Sequence, residues 1–180
     1  MKLPRRSVLS GALALFATTR ASADAPAPPA LGEFDVRDLT VDGDRAKRFT
    51  LFLPRHLAKD ERVPLLVLLH GLAETADPRM GAYAWVERYG LETAYARLRH
   101  PPIARTSSRG EWTDARLTEV NAMLATQPFR GLAIACPYTP NIGKPPELDA
   151  YARWIAEVVI PRARTEGPIF TDPARTAIDG

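Results

Sequence analysis

Three short segments of this sequence carry residue types that can do chemistry where a strand would hand over to a loop. They are Leu69-His70-Gly71-Leu72, Cys136-Pro137-Tyr138 and Ile178-Asp179-Gly180. In an open α/β sheet, ligands bind beyond the carboxyl ends of the strands. His70-Gly71 ends the apolar run 65–69, and a glycine there lets the backbone turn sharply. The next N–H, that of Leu72, can then face a site. A backbone N–H held this way stabilises an oxyanion, and losing one such donor costs roughly 3 kcal/mol of barrier. Taken alone, the dipeptide is also what a strand-ending turn with a hydrogen-bonded structural histidine looks like.

Other polar residues near these ends carry less weight. Glu74 could touch the leaving-group side of such a site, but a loop acid is more simply solvated. Tyr138 and Asn141 could line a pocket or merely pack their loop. Asp172, before Pro173, is most simply a turn former. Asp179 could fix the backbone after the last strand or stay in solvent. Ser107-Ser108-Arg109-Gly110 has a serine near a glycine but no strand before it, so it makes a poor nucleophile. Trp85, Tyr89, Trp112 and Trp154 sit in helical patterns and read as core. Cys136 is the single cysteine, which excludes an intramolecular disulfide and a cysteine-based zinc site. A small buried side chain is its simplest role.

The elements that must position these residues follow from periodicity. Residues 33–42 predict a first strand with a bulge or bend near Asp38, and Asp42-Gly43-Asp44 predicts a turn. Residues 47–53 alternate, with Phe49, Leu51 and Leu53 on one face and Arg48 and Thr50 on a wetter one, so an antiparallel strand is expected. The unbroken run at 65–69 and the segment 131–136 predict strands buried on both faces. Asp77-Pro78 opens a helix, expected over much of 80–98 although Gly81 and Gly90 weaken it. A second helix is expected over 113–125. A third has Leu148, Tyr151, Ala152, Ile155, Val158 and Val159 on one face and Asp149–Arg153 and Arg153–Glu157 as i,i+4 pairs, with Pro161 ending or kinking it. Residues 175–179 form the last strand. The order implies an α/β fold with a mostly parallel sheet and helices on both faces.

Residues 1–23 read as a signal peptide. Lys2, Arg5 and Arg6 precede a short apolar run, and Ala21-Ser22-Ala23 is an A-x-A cleavage site. The run is too short to span a bilayer, which takes ~20 residues, so no stable membrane span is expected after its removal. Pro4-Arg5-Arg6-Ser7-Val8-Leu9 resembles a twin-arginine signal. An exported protein, periplasmic or extracellular, is the expectation, with residues 24–32 a Pro/Ala-rich leader and 33–180 the domain. The net charge of +3 comes from this segment: removing Lys2, Arg5, Arg6 and Arg20 leaves 20 basic against 21 acidic residues. No basic patch remains, and nucleic-acid binding loses its electrostatic support.

The ordered set of motifs resembles an α/β-hydrolase. HGLAET after PLLVLLH looks like the loop that supplies part of the oxyanion hole in that superfamily. RFTLFLP before it, GLAIACPYTPN, YARWIAEVVIPRART and DPARTAIDG resemble successive elements of serine esterases of the feruloyl-esterase, esterase-D and polyhydroxyalkanoate-depolymerase type. The resemblance covers residues 47–180. It implies an oxyanion hole at Gly71 and Leu72, a structural role for His70 in that loop, and a last strand lying beside 65–69. It also implies that Gly180 is the first glycine of the G-x-S-x-G nucleophile elbow. In that family the serine, acid and catalytic histidine all follow this glycine, so His56, His70 and His100 precede the elbow and none is the base. The expectation is thus the first five strands of an incomplete α/β-hydrolase, inactive as these 180 residues alone. The parent would cleave a small-molecule or polymer ester by Ser–His–acid chemistry, which uses no cofactor or metal. A non-catalytic exported binding module on the same fold is the alternative.

Overall fold

A computed structural model describes residues 32–105 and 112–180. The expected signal peptide, nearly all of the leader and Ser107-Ser108 lie outside the described residues. Five strands form one sheet: β1 (Phe34–Val41), β2 (Asp44–Pro54), β3 (Leu65–Leu68), β4 (Ala133–Pro137) and β5 (Thr176–Asp179), in the order β1-β2-β4-β3-β5. The class is α/β, but the sheet is mixed rather than mostly parallel. β2 runs antiparallel to both β1 and β4, while β3 runs parallel to β4 and β5. The reason is local. β1 and β2 are a hairpin closed by Asp42 and Gly43, both at positive φ, which suits a two-residue turn between twisted strands.

The continuous apolar strands are sandwiched as their composition demands. Phe49, Leu51, Leu65, Val67 and Ala135 face the long third helix, meeting Ile155, Val159 and Ala163. Phe52, Leu68, Ile134 and Cys136 face the opposite layer, with Leu91 and Tyr95. The expected wet face of β2 is therefore dry at its carboxyl half. Thr50 is fully buried, and its hydroxyl donates to the carbonyl of Ala82 in the helix above it. Nor does β1 bulge at Asp38; the irregularity falls at Thr40/Val41. Asp38 stays in register and accepts from Arg48 Nε at 2.8 Å and from the Tyr83 hydroxyl at 3.1 Å. Burial, then the Asp38 charge, pushes the Tyr83 phenol up to about 12.

The single helix expected over 80–98 is two, α1 (Pro78–Glu87) and α2 (Leu91–Arg99). Gly90 separates them at φ +69°, a left-handed conformation that other residues rarely adopt. Asp77 caps α1, accepting from Met80 N at 2.6 Å, with Pro78 in the first turn. α3 (Asp114–Thr126) has Thr113 as its cap.

The third long helix does not end at Pro161. It runs as α4 (Pro145–Trp154), a π segment (Ile155–Val159) and α5 (Ile160–Glu166). A proline lacks the N–H for its own turn and crowds the carbonyl four residues back. The wider π turn, with Ile160 N–H bonded to Ile155 O, relieves that crowding. It also shifts the buried face. Tyr151, Ile155, Val159 and Ala163, four apart, meet the core, whereas Leu148 and Ala152 stay exposed. Neither Asp149–Arg153 nor Arg153–Glu157 pairs; among the described residues the i,i+4 ion pair is Arg162–Glu166, at 2.8 Å. Trp112 and Tyr89 are exposed rather than core. Among the described residues no helix is long and apolar enough to cross a membrane.

Candidate active site

The three strand ends singled out by residue type meet at one end of the sheet. β3, β4 and β5 are mutually parallel, so Leu69-His70-Gly71-Leu72, Pro137-Tyr138-Thr139 and Asp179-Gly180 emerge side by side. Leu69 N donates to Asp179 O at 2.8 Å, joining the first end to the third. Thr139 N donates to His70 Nε2 at 2.8 Å, joining the first end to the second.

That last bond fixes the chemistry of His70. Nε2 accepts, so the ring proton sits on Nδ1, which donates to Gly71 O at 2.9 Å. The ring stacks on Tyr138 with centroids 5.8 Å apart, and the Tyr138 hydroxyl donates to Thr75 O at 2.7 Å. Thr139 Oγ1 in turn shares a 2.8 Å hydrogen bond with the Tyr151 hydroxyl, whose phenol burial pushes up to about 12. His70 therefore has both nitrogens committed to backbone groups.

Its effect falls on Leu72. The Gly71 carbonyl and the Leu72 N–H belong to one trans peptide unit and point in opposite directions. The carbonyl is pinned by His70 Nδ1 and, at 3.3 Å, by Glu74 N. The Leu72 N–H must then point away from both. Leu72 opens a 3-10 turn, Leu72–Glu74, where the first N–H has no partner within the turn. Leu72 as a whole is 71% exposed.

Gly71 itself departs from expectation. Its φ of −77° and ψ of 176° are ordinary extended values, so the sharp turn comes from the 3-10 segment and not from glycine's left-handed freedom. Close approach demands glycine elsewhere, at Gly81 and Gly180. A β-carbon on Gly180 would stand 2.4 Å from Leu69 Cβ and 3.0 Å from Leu69 O. The end of β5 is thus in backbone contact with the start of the Leu69–Leu72 segment. A β-carbon on Gly81, in α1, would stand 2.5 Å from His70 Nε2 and 2.7 Å from Tyr138 Cδ2. The spacing marks Gly81 only as a weak point in a helix.

The chain matches no protein-family model and no curated protein.

The remaining candidates sort by position. His56 and His100 lie at the opposite end of the sheet. His56 Nε2 bonds Arg130 O, ahead of β4, and His100 approaches Glu33, ahead of β1. Glu74 is not a solvated loop acid but a buried one, paired with Arg88. Tyr138 packs, while Asn141 is exposed. Asp172 forms the expected turn, accepting from Ala174 N at 2.9 Å. The Asp179 side chain is exposed. Cys136 is fully buried, which pushes its thiol pKa up and leaves it a poor nucleophile. Among the described residues no three His, Cys, Asp or Glu side chains cluster as a metal site would.

Proposed function

We propose that this chain is the N-terminal part of an exported α/β-hydrolase that cleaves carboxylic esters through a serine nucleophile. The observation that carries the reading is that Gly180 packs against Leu69, which starts the segment whose Gly71–Leu72 peptide is pinned. A nucleophile elbow beginning at Gly180 would put its serine next to the Leu72 N–H, the geometry that acyl transfer requires. The strand order supports the same reading. The resemblance calls for a second strand that runs against its neighbours and a nucleophile strand beside the third, and β2 and β5 have these relations.

On this reading the serine oxygen attacks the ester carbonyl and Leu72 N–H receives the developing oxyanion. His70 holds the donor's peptide plane and takes no proton from the nucleophile. The acid and the base come from segments after Gly180, and no residue among 1–180 is assigned to either role.

The test is chemical labelling of the full-length protein. A fluorophosphonate probe should label a serine two residues after Gly180 and abolish hydrolysis of p-nitrophenyl acetate. A full-length protein with no serine there and no labelling would be a binding module on this fold, and the hydrolase reading would fall. Export is proposed on Arg5-Arg6 and Ala21-Ser22-Ala23. N-terminal sequencing of exported protein should begin at Asp24, and an intact Met1 on that material would rule out cleavage.

A further inference from the structure

Glu74 ends the 3-10 turn that Leu72 opens, and it is only 2% exposed. Its Oε1 accepts from Arg88 Nη1 at 3.0 Å, while the Arg88 side chain is half in solvent. Its Oε2 is buried and has no hydrogen-bond partner among the described residues. This oxygen faces the backbone of Gly71: a β-carbon there would stand 3.4 Å from Oε2 and 3.6 Å from the hydroxyl of Tyr89. Arg88 and Tyr89 directly follow α1. The same helix sets Gly81 against His70 and donates from Trp85 Nε1 to Leu69 O at 3.1 Å. The segment from Leu69 to Glu74 is therefore braced along the whole length of α1.

A buried carboxylate with one orphaned oxygen is a poor device for stability. An orphaned buried acceptor carries its full desolvation cost. Here only the carboxylate is buried, and apolar residues in place of such desolvated charges are often neutral or stabilising. What a buried charged pair can supply is one geometry over its alternatives. Here the geometry in question is close at hand, because the backbone N–H of Glu74 is one of the two donors on the Gly71 carbonyl. Anchoring the Glu74 side chain keeps that N–H in place.

We propose that Glu74 is a positioning residue for the Leu72 N–H: its carboxylate, clamped by Arg88 and faced by Tyr89, seats the 3-10 turn so that Glu74 N–H and His70 together hold the Gly71 carbonyl. The catalytic meaning of this clamp rests on the ester-hydrolase reading; the structural coupling does not. The Tyr89 phenol agrees with it. Its pKa is raised, first by hydrogen bonding toward Glu74, although its hydroxyl does not reach hydrogen-bond geometry with the orphaned Oε2. Tyr89 is close to the carboxylate without being seated on it.

The experiment compares the full-length protein with Glu74→Met/Arg88→Met by thermal melting, by the amide NMR cross-peak of Leu72, and by hydrolysis of p-nitrophenyl acetate. The double variant should melt no lower than the parent. Its Leu72 cross-peak should broaden or double, and kcat should fall about 10- to 100-fold with little change in KM. An unshifted, single Leu72 cross-peak overturns the proposal whatever the kinetics. So does a loss of kcat that merely tracks a lower melting temperature. Should the double variant not fold, Glu74→Gln keeps the side-chain size and is judged by the same cross-peak. A parent without ester turnover sinks the hydrolase reading, and the cross-peak still decides for or against Glu74.

Discussion

Leu72→Pro in the full-length protein is expected to lower ester turnover by on the order of 10²-fold or more, and Leu72→Ala to lower it far less. The contrast isolates one hydrogen. Proline removes the N–H and alanine keeps it, while both remove a side chain that is mostly in solvent. Proline is also unusually well accommodated here. It suits the first position of a helical turn, where the N–H is unpaired in any case. The residue before a proline is driven toward extended backbone, and Gly71 already has ψ 176°. The two His70 bonds and the Glu74 N–H bond to Gly71 O involve no atom of Leu72. A melting temperature close to the parent's is therefore expected for both variants, and the loss should appear in kcat. Equal losses from proline and alanine would remove Leu72 N–H from the mechanism and point to its side chain instead.

The parts of the fold that were legible in the sequence are those set by local composition. The unbroken apolar runs at β3 and β4, short and bounded by turn residues, fit buried strands, and Asp42-Gly43 and Asp77-Pro78 act through their own backbone preferences. The meeting of the three strand ends was legible for the same reason, since glycine and polar residues at strand ends stand out against apolar strands. What was not legible depends on contacts between distant segments. Thr50 alternates with apolar neighbours and reads as wet, yet α1 covers it and accepts its hydroxyl at Ala82. Glu74 reads as solvated because Arg88, its partner, returns to it only after α1 has crossed the sheet. The π segment before Pro161 breaks the strict 3.6-residue period that puts Leu148 and Ala152 on the buried face, and both are exposed. The mixed sheet was half visible: β2 read as antiparallel, but its insertion between β1 and β4 could not be counted from the chain alone.

Gly81→Ala should destabilise the protein by roughly 1–3 kcal/mol, against the direction that helix propensity predicts. Alanine in a helix interior is favoured over glycine by about 1 kcal/mol, so in a free helix the substitution would stabilise. Here the added carbon meets His70 Nε2 at 2.5 Å, Tyr138 Cδ2 at 2.7 Å and His70 Cδ2 at 3.0 Å. None of these atoms is free to retreat. His70 is tied through both ring nitrogens to Thr139 N and Gly71 O, and Tyr138 is tied through its hydroxyl to Thr75 O. α1 is itself held down by the Thr50 hydroxyl on Ala82 O. Relief must break at least one of these bonds, each worth about 1 kcal/mol net, or push the helix off the sheet. The overpacking outweighs the propensity gain, and a fall of several degrees in melting temperature follows. Gly71→Ala is the matched control. Its φ is −77° and the nearest side-chain atoms would be 3.4 and 3.6 Å away, ordinary contact distances, so its melting temperature should stay near the parent's. A Gly81→Ala protein that melts at or above the parent would show that His70 and Tyr138 can move. The pinned Gly71–Leu72 peptide, which depends on their being fixed, would lose its support.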